Sequence, residues 1–185
     1  MERKRIGIDV DGVLRDFNKA AVEVYNREFG ENKRPEDMTE YDLGKSYPLV
    51  KDAEDFFFRR HPKELFFDAE VIAGARDAFN HLYMLHDVVI LTTQPTAVQK
   101  IYTIEWLVKN GFNFNDLCFL HDKNKFGRLD YFIDDNPKKF DGVDAGLGVL
   151  IDAPYNKSAD IRDLKGCDLL TRCGSLFEFV RKFEL

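Results

Sequence analysis

The sequence predicts an α/β fold, a three-layer doubly wound parallel sheet with a small helical cap inserted after the first strand. Three observations predict it. Five short apolar runs, at Arg5–Val10, Val88–Thr92, Leu117–Leu120, Tyr131–Ile133 and Leu147–Ile151, are near-continuous rather than alternating. That is the pattern of strands buried on both faces of a parallel sheet. The segments between most of them carry apolar residues at helical spacing, so strand and helix alternate. One interval, 17–72, runs to roughly 56 residues, far more than a strand-to-helix connection needs.

In chain order, Arg5–Val10 reads as the first strand, and Phe17–Phe29 as an amphipathic helix through Ala20, Ala21, Val24 and Tyr25. A polar stretch containing Pro35 and Pro48 follows, and Leu49–Arg60 reads as a second helix. Ala75–Leu85 sets Ala75, Ala78, Phe79, Leu82 and Leu85 on one helical face ahead of the second strand. Thr96–Lys109 carries Val98, Ile101, Ile104, Trp106 and Val108 and stops at Asn110-Gly111. Gly146-Leu147-Gly148 reads as a turn into the fifth strand, CDLLT after Cys167 as an edge strand, and Ser175–Phe183 as a closing helix. The expected division is a core of 1–16 and 73–185 and a cap of 17–72 over the carboxyl edge of the sheet.

Composition narrows the function. Of 185 residues, 27 are Lys or Arg and 33 are Asp or Glu, a formal charge of −6, and no long basic run is present. Coating a nucleic-acid polymer requires many cations at once, so no such partner is expected, whereas a small anion needs only a few. No apolar run approaches the ~18 residues of a membrane span, and none has the form of a secretory signal. Cys118, Cys167 and Cys173 are odd in number and lack metal-ligand spacing, which points to a reducing compartment and a cytoplasmic protein. The oligomeric state stays open, a homodimer included.

The chemistry-bearing residues gather where strands end. Asp9-Val10-Asp11-Gly12 closes the first strand, and strand carboxyl ends are where open α/β sheets build their sites. Period-two geometry would start Asp9 and Asp11 on the same side, and two buried like charges call for a cation or a shared proton. Asp134-Asp135-Asn136-Pro137 closes the fourth strand; read alone, it fits a helix cap slightly better than a metal site, but beside the first strand it suggests a hard-cation site for Mg²⁺. Thr92-Thr93-Gln94-Pro95 ends the second strand ahead of a helix, a place where hydroxyls and free N–H groups receive anions. His121-Asp122-Lys123-Asn124-Lys125 follows the third and supplies cations.

Taken together, acidic pair, threonine, lysine and acidic pair on successive strands resemble the haloacid-dehalogenase-like phosphohydrolases. Asp9-Val10-Asp11-Gly12-Val13 matches that superfamily's first motif, Thr92 its second, Lys123 or Lys125 its third, and Asp134-Asp135 its fourth. DVDGVLRDF, ILTTQP, FIDD and the size of the insert are similar to the 5′(3′)-deoxyribonucleotidase family. The chain departs from that pattern in Thr92-Thr93-Gln94-Pro95, where the family commonly has Thr-Ser-Pro, and in offering two lysines, of which Lys123 is favoured.

The resemblance implies that Asp9 is the nucleophile, that Asp11 protonates the leaving alkoxide and then activates water, and that Thr92, Thr93 and Lys123 bind phosphate. It implies Mg²⁺ on Asp9, the Asp11 carbonyl and Asp134 or Asp135. Phe17, six residues after Asp11, is the candidate for stacking on a substrate ring, whereas Phe56-Phe57-Phe58 and Phe66-Phe67 read as cap core. The expected substrate is a small phosphate monoester, a deoxynucleoside monophosphate foremost. The alternatives are another phosphometabolite, such as a sugar phosphate or phosphoglycolate, or a phosphoacceptor signalling domain using His121-Asp122. The second acidic pair and the large insert speak against the signalling domain.

Overall fold

Six strands form one parallel sheet in the order β3-β2-β1-β4-β5-β6 in the computed structural model, which describes residues 2–123 and 126–183. They are β1 (Arg5–Ile8), β2 (Asp87–Thr92), β3 (Asp116–Phe119), β4 (Leu129–Asp134), β5 (Ala145–Ile151) and β6 (Cys167–Cys173). β1 lies between β2 and β4, with Ile8 opposite Ile90 on one side and Ile133 on the other. The helices are α1 (Phe17–Phe29), α2 (Leu43–Ser46), α3 (Ala75–Leu85), α4 (Ala97–Lys109) and α5 (Leu176–Lys182). The fold class read from the sequence is therefore the one observed.

Alternation along β2 divides the interior. Val88 and Ile90 join Ile6, Ile8 and Ile133 under Phe79 and Leu82 of α3, Trp106 of α4 and Phe179 of α5. Val89 and Leu91 join Phe132, Phe140 and Leu150 on the opposite face. Short turns such as Pro137–Phe140 and Ile161–Asp163, rather than long helices, cover that second face. A third apolar cluster, from Ala20 through Tyr25, Tyr47 and Phe57 to Ala69, belongs wholly to the long insert.

Three local expectations need correction. β1 stops at Ile8, two residues early, because the Val10 carbonyl accepts from the N–H groups of Leu14 at 2.8 Å and Arg15 at 2.9 Å and so closes a tight turn. Asp9 and Asp11 are thus placed by that turn and not by strand pleat. The helix expected over Leu49–Arg60 forms only as wide π-type turns over Glu54–Arg60, after the Asp52 carboxylate accepts from the Asp55 N–H at 3.0 Å. The insert also contains α2, a 3-10 turn at Pro35–Asp37 and a π-type turn at Glu64–Asp68.

In α4 the buried face is Gln99, Thr103, Trp106 and Leu107, while Val98, Ile101, Ile104 and Val108 are exposed. The polar members are inside because they have partners. Gln99 closes a capping box with Thr96, Thr103 meets Arg15, and the Trp106 indole N–H donates to the Ala69 carbonyl at 2.7 Å.

Candidate active site

Every predicted carboxylate of the site stands at the carboxyl edge of the sheet. The Asp9 N–H donates to the Ile133 carbonyl at 3.0 Å, which sets Asp9 beside the end of β4. Oxygens of Asp9, Asp134 and Asp135 then lie within 4.8 Å of one another, and all three residues are buried. Gly12, at φ 77°, permits this crowding, because a Cβ there would collide with the Asp135 carboxylate.

Lys123 is the cation among them. Its Nζ donates to Asp134 Oδ2 at 2.6 Å and forms an ion pair with Asp9 Oδ1 at 3.0 Å, with 1% of the side chain exposed. Burial alone would lower the lysine pKa, but the charges of Asp134 and Asp9 and their contacts outweigh it and raise it. Asp134 is fully engaged, since its Oδ1 accepts from the Asn136 N–H at 2.8 Å. Asp9 Oδ1, by contrast, meets Lys123 only as an ion pair and accepts no hydrogen bond.

One lysine does not neutralise three carboxylates. Burial pushes Asp9 up to about 6, with Lys123 pulling back and the charges of Asp134 and Asp11 adding to the rise. Burial, and then Asp134 and Asp9, hold Asp135 well above the ordinary carboxylate range. A buried carboxylate oxygen that accepts no hydrogen bond, within an all-oxygen donor set, suits a hard divalent cation.

A cavity of about 840 Å³ opens above these residues, between the insert and the sheet edge. Asp9, Asp11, Asp135 and Thr93 face it from the core, and Phe17, Phe58 and Phe66 from the insert. Phe17 lies 5.9 Å from the Phe66 ring and 6.4 Å from the Phe58 ring, so the three form one aromatic wall. Among the paired phenylalanines read as cap core, Phe56 and Phe57 are buried in the insert's own cluster, and Phe58 and Phe66 also reach the cavity. Thr92 is buried at the end of β2, whereas Thr93 stands at the cavity, donating to the Leu120 carbonyl and accepting from Lys139 Nζ. Lys125 lies outside the described residues.

Three site residues escape the sequence reading. Arg15, the single charged residue inside the run Gly12–Arg15, is fully buried, and its Nε donates to Asp11 Oδ1 at 2.8 Å. Gln94 donates to the other oxygen, Oδ2, at 2.8 Å. Tyr155 donates its hydroxyl to Asp135 Oδ2 and meets Tyr41 of the insert edge-on, at 5.3 Å between rings. Its position just past β5, on the same carboxyl edge, was the signal available for it.

The family described as 5′ nucleotidase, deoxy (pyrimidine), cytosolic type C protein matches residues 3–165. A 5′(3′)-deoxyribonucleotidase of Clostridium acetobutylicum is 26% identical over 194 residues, covering 97% of this chain and 100% of its own. A protein of Staphylococcus epidermidis named "Putative 5′(3′)-deoxyribonucleotidase" is 32% identical over 168 residues, covering 84% of this chain and 87% of its own. Among solved structures, a haloacid dehalogenase-like family hydrolase from Streptococcus pneumoniae is similar in fold, with a TM-score of 0.62, 13% identity and 98% of each chain covered.

Proposed function

Because the chain belongs to the 5′ nucleotidase, deoxy (pyrimidine), cytosolic type C family and is a phosphoric monoester hydrolase of nucleotidase type, we propose that it hydrolyses deoxynucleoside monophosphates through an aspartyl-phosphate on Asp9. The observation that carries this reading is the buried Asp9–Asp134–Asp135 group with Lys123, at the base of a cavity walled by Phe17, Phe58 and Phe66. In it, 17–72 is a substrate-covering cap, and 1–16 with 73–185 is the catalytic core.

Asp9 attacks phosphorus through a carboxylate oxygen as the bond from phosphorus to the sugar oxygen breaks. Asp11 gives its proton to that departing oxygen, and later takes one from the water that attacks the aspartyl-phosphate, so the enzyme returns to its starting state. Thr93 and nearby backbone N–H groups, with Lys123 from below, stabilise the phosphoryl oxygens during transfer. Thr92, being buried, acts by ending β2 and holding Thr93 at the cavity. Asp9 and Asp135, with the Asp11 carbonyl, would hold Mg²⁺, while Asp134 orients Lys123; the ion would supply charge that offsets repulsion between the anionic nucleophile and the phosphate. The partner is thus a small nucleotide rather than a polymer. Among the described residues no helix is long and apolar enough to cross a membrane. A cytoplasmic setting is part of the same proposal.

Phosphate release from ribo- and deoxynucleoside monophosphates, sugar phosphates and phosphoglycolate, with and without Mg²⁺, tests the substrate class. Preference for a sugar phosphate over every nucleotide would refute it. Phe17→Ala should raise KM for nucleotides about 5- to 150-fold, the equivalent of ~1–3 kcal/mol of base stacking. Hydrolysis of a small artificial ester should barely change. Equal losses on both would make Phe17 a packing residue of the cap.

The crowded carboxylates also predict a pH dependence. The folded pKa of Asp9 is raised from 3.8 to about 6, so between those values the folded state holds more protons than the unfolded state. Stability in chelator is therefore present at the acid end of that window and lost as pH rises through it; Asp135 extends the loss upward. Mg²⁺ should raise the melting temperature more at about pH 7 than at about pH 5. A metal-induced increment equal at both pH values would contradict the arrangement.

A further inference from the structure

We propose that Arg15 is a positioning residue that ties the orientation of the Asp11 carboxylate to the docking of the insert. This rests on the reading of Asp11 as the proton-transfer group. It goes further, because it names what holds that group and what the holding depends on.

Arg15 is fully buried, and its guanidinium uses each nitrogen differently. Nε donates to Asp11 Oδ1 at 2.8 Å. Nη1 donates to the Phe66 carbonyl of the insert at 2.8 Å, and both Nη atoms reach Thr103 Oγ1 of α4 at 3.3 Å. Its Cζ lies over the rings of Phe66, at 5.0 Å from the centroid, and Trp106, at 5.2 Å. Three parts of the fold, the loop after β1, the returning end of the insert and α4, converge on one planar cation. Only a guanidinium offers that fork, since an ammonium would act as a point charge.

The backbone joins the same parts. Arg15 bridges Val71 in antiparallel fashion, the Asp16 N–H donates to the Glu70 carbonyl at 2.9 Å, and the Ile72 N–H donates to the Leu14 carbonyl at 2.9 Å. The chain thus leaves the core for the insert and returns from it side by side at Arg15. Phe66, whose carbonyl Arg15 grips, also lines the substrate cavity. Displacing the insert wall at Phe66 removes one anchor of Arg15 and so frees the atom that fixes Asp11.

Stability alone does not account for this residue. Burying a charge is costly, and apolar side chains of similar volume commonly fill such sites as well or better. With Gln94 on Oδ2 and Arg15 on Oδ1, both oxygens of Asp11 are fixed, which a group that must point at a leaving oxygen requires.

The test reads leaving-group release in a single turnover, before water attacks the aspartyl-phosphate common to all substrates, and compares a nucleoside monophosphate, whose alkoxide leaving group needs a proton, with p-nitrophenyl phosphate, whose phenolate does not. Asp11→Asn is the reference. Arg15→Met should lower the single-turnover release rate from the nucleotide about 10- to 100-fold, as a misplaced catalytic group does, with a much smaller change on p-nitrophenyl phosphate and KM little altered. Thr103→Val, which keeps the cation and removes one anchor, should show the same selective loss to a smaller degree; it carries the test if Arg15→Met does not fold. Equal losses on both substrates in the Arg15 or Thr103 variant, with Asp11→Asn still discriminating, overturn the proposal. Equal losses in Asp11→Asn itself overturn the reading of Asp11, and the proposal with it.

Discussion

Asp9→Asn should lower kcat by about 10³-fold or more on every substrate, because the amide has the carboxylate's shape and lacks its nucleophilicity. The same variant should melt in chelator at an equal or higher temperature than the parent. Asp9 is buried, one of its oxygens accepts no hydrogen bond, and its charge adds to those of Asp134 and Asp135, so neutralising it relieves repulsion. The opposed directions separate a chemical role from a structural one. A residue that merely supported the loop after β1 would lose stability and activity together. Turnover within about tenfold of the parent would show that another atom attacks phosphorus.

Asp9 is legible in the sequence because of the kind of signal it gives. Apolar runs such as VVILT betray strands buried on both faces, and a carboxylate at the end of such a run stands at the sheet's carboxyl edge. The pairing of β1 with β4 then brings Asp9 to Asp134 and Asp135, which depends on strand order more than on exact strand ends. The error of two residues in β1 therefore left the site recognisable while misplacing the cause of the Asp9–Asp11 arrangement, which is the turn at Val10.

The insert was less legible because periodicity assumes an α-helix exposed on one side. Around Phe56 and Phe66 the chain winds in wide π-type turns and packs on its own aromatic rings, so apolar spacing no longer reports a face. In α4 the same assumption selected Val98, Ile101 and Ile104, although the buried face is the more polar one. Thr103 and Gln99 go inside because Arg15 and Thr96 wait for them, and such pairings are long-range facts that a local pattern cannot hold. Arg15 and Tyr155 are missed for that reason: each acts on a carboxylate through the folded chain.

Lys123→Met is expected to have the second large effect, and on both properties at once. Among the described residues the lysine is the one cation in contact with Asp9 and Asp134, at 3.0 and 2.6 Å, and it is almost wholly enclosed. Its removal leaves buried carboxylates without compensation, which commonly costs about 3–5 kcal/mol. On the proposed mechanism the phosphoryl oxygens also lose a stabilising charge, which should lower kcat by a further ~10²–10³-fold. The metal response gives the decisive sign. In chelator the variant should melt well below the parent, and Mg²⁺ should raise its melting temperature by more than it raises the parent's, because the ion then supplies charge that Lys123 no longer does. Asp9→Asn moves chelator stability the other way, so the two variants bracket the charge balance of the site. A Lys123→Met protein that matches the parent in chelator would mean that Asp9 and Asp134 are already neutral there, and that the lysine compensates nothing.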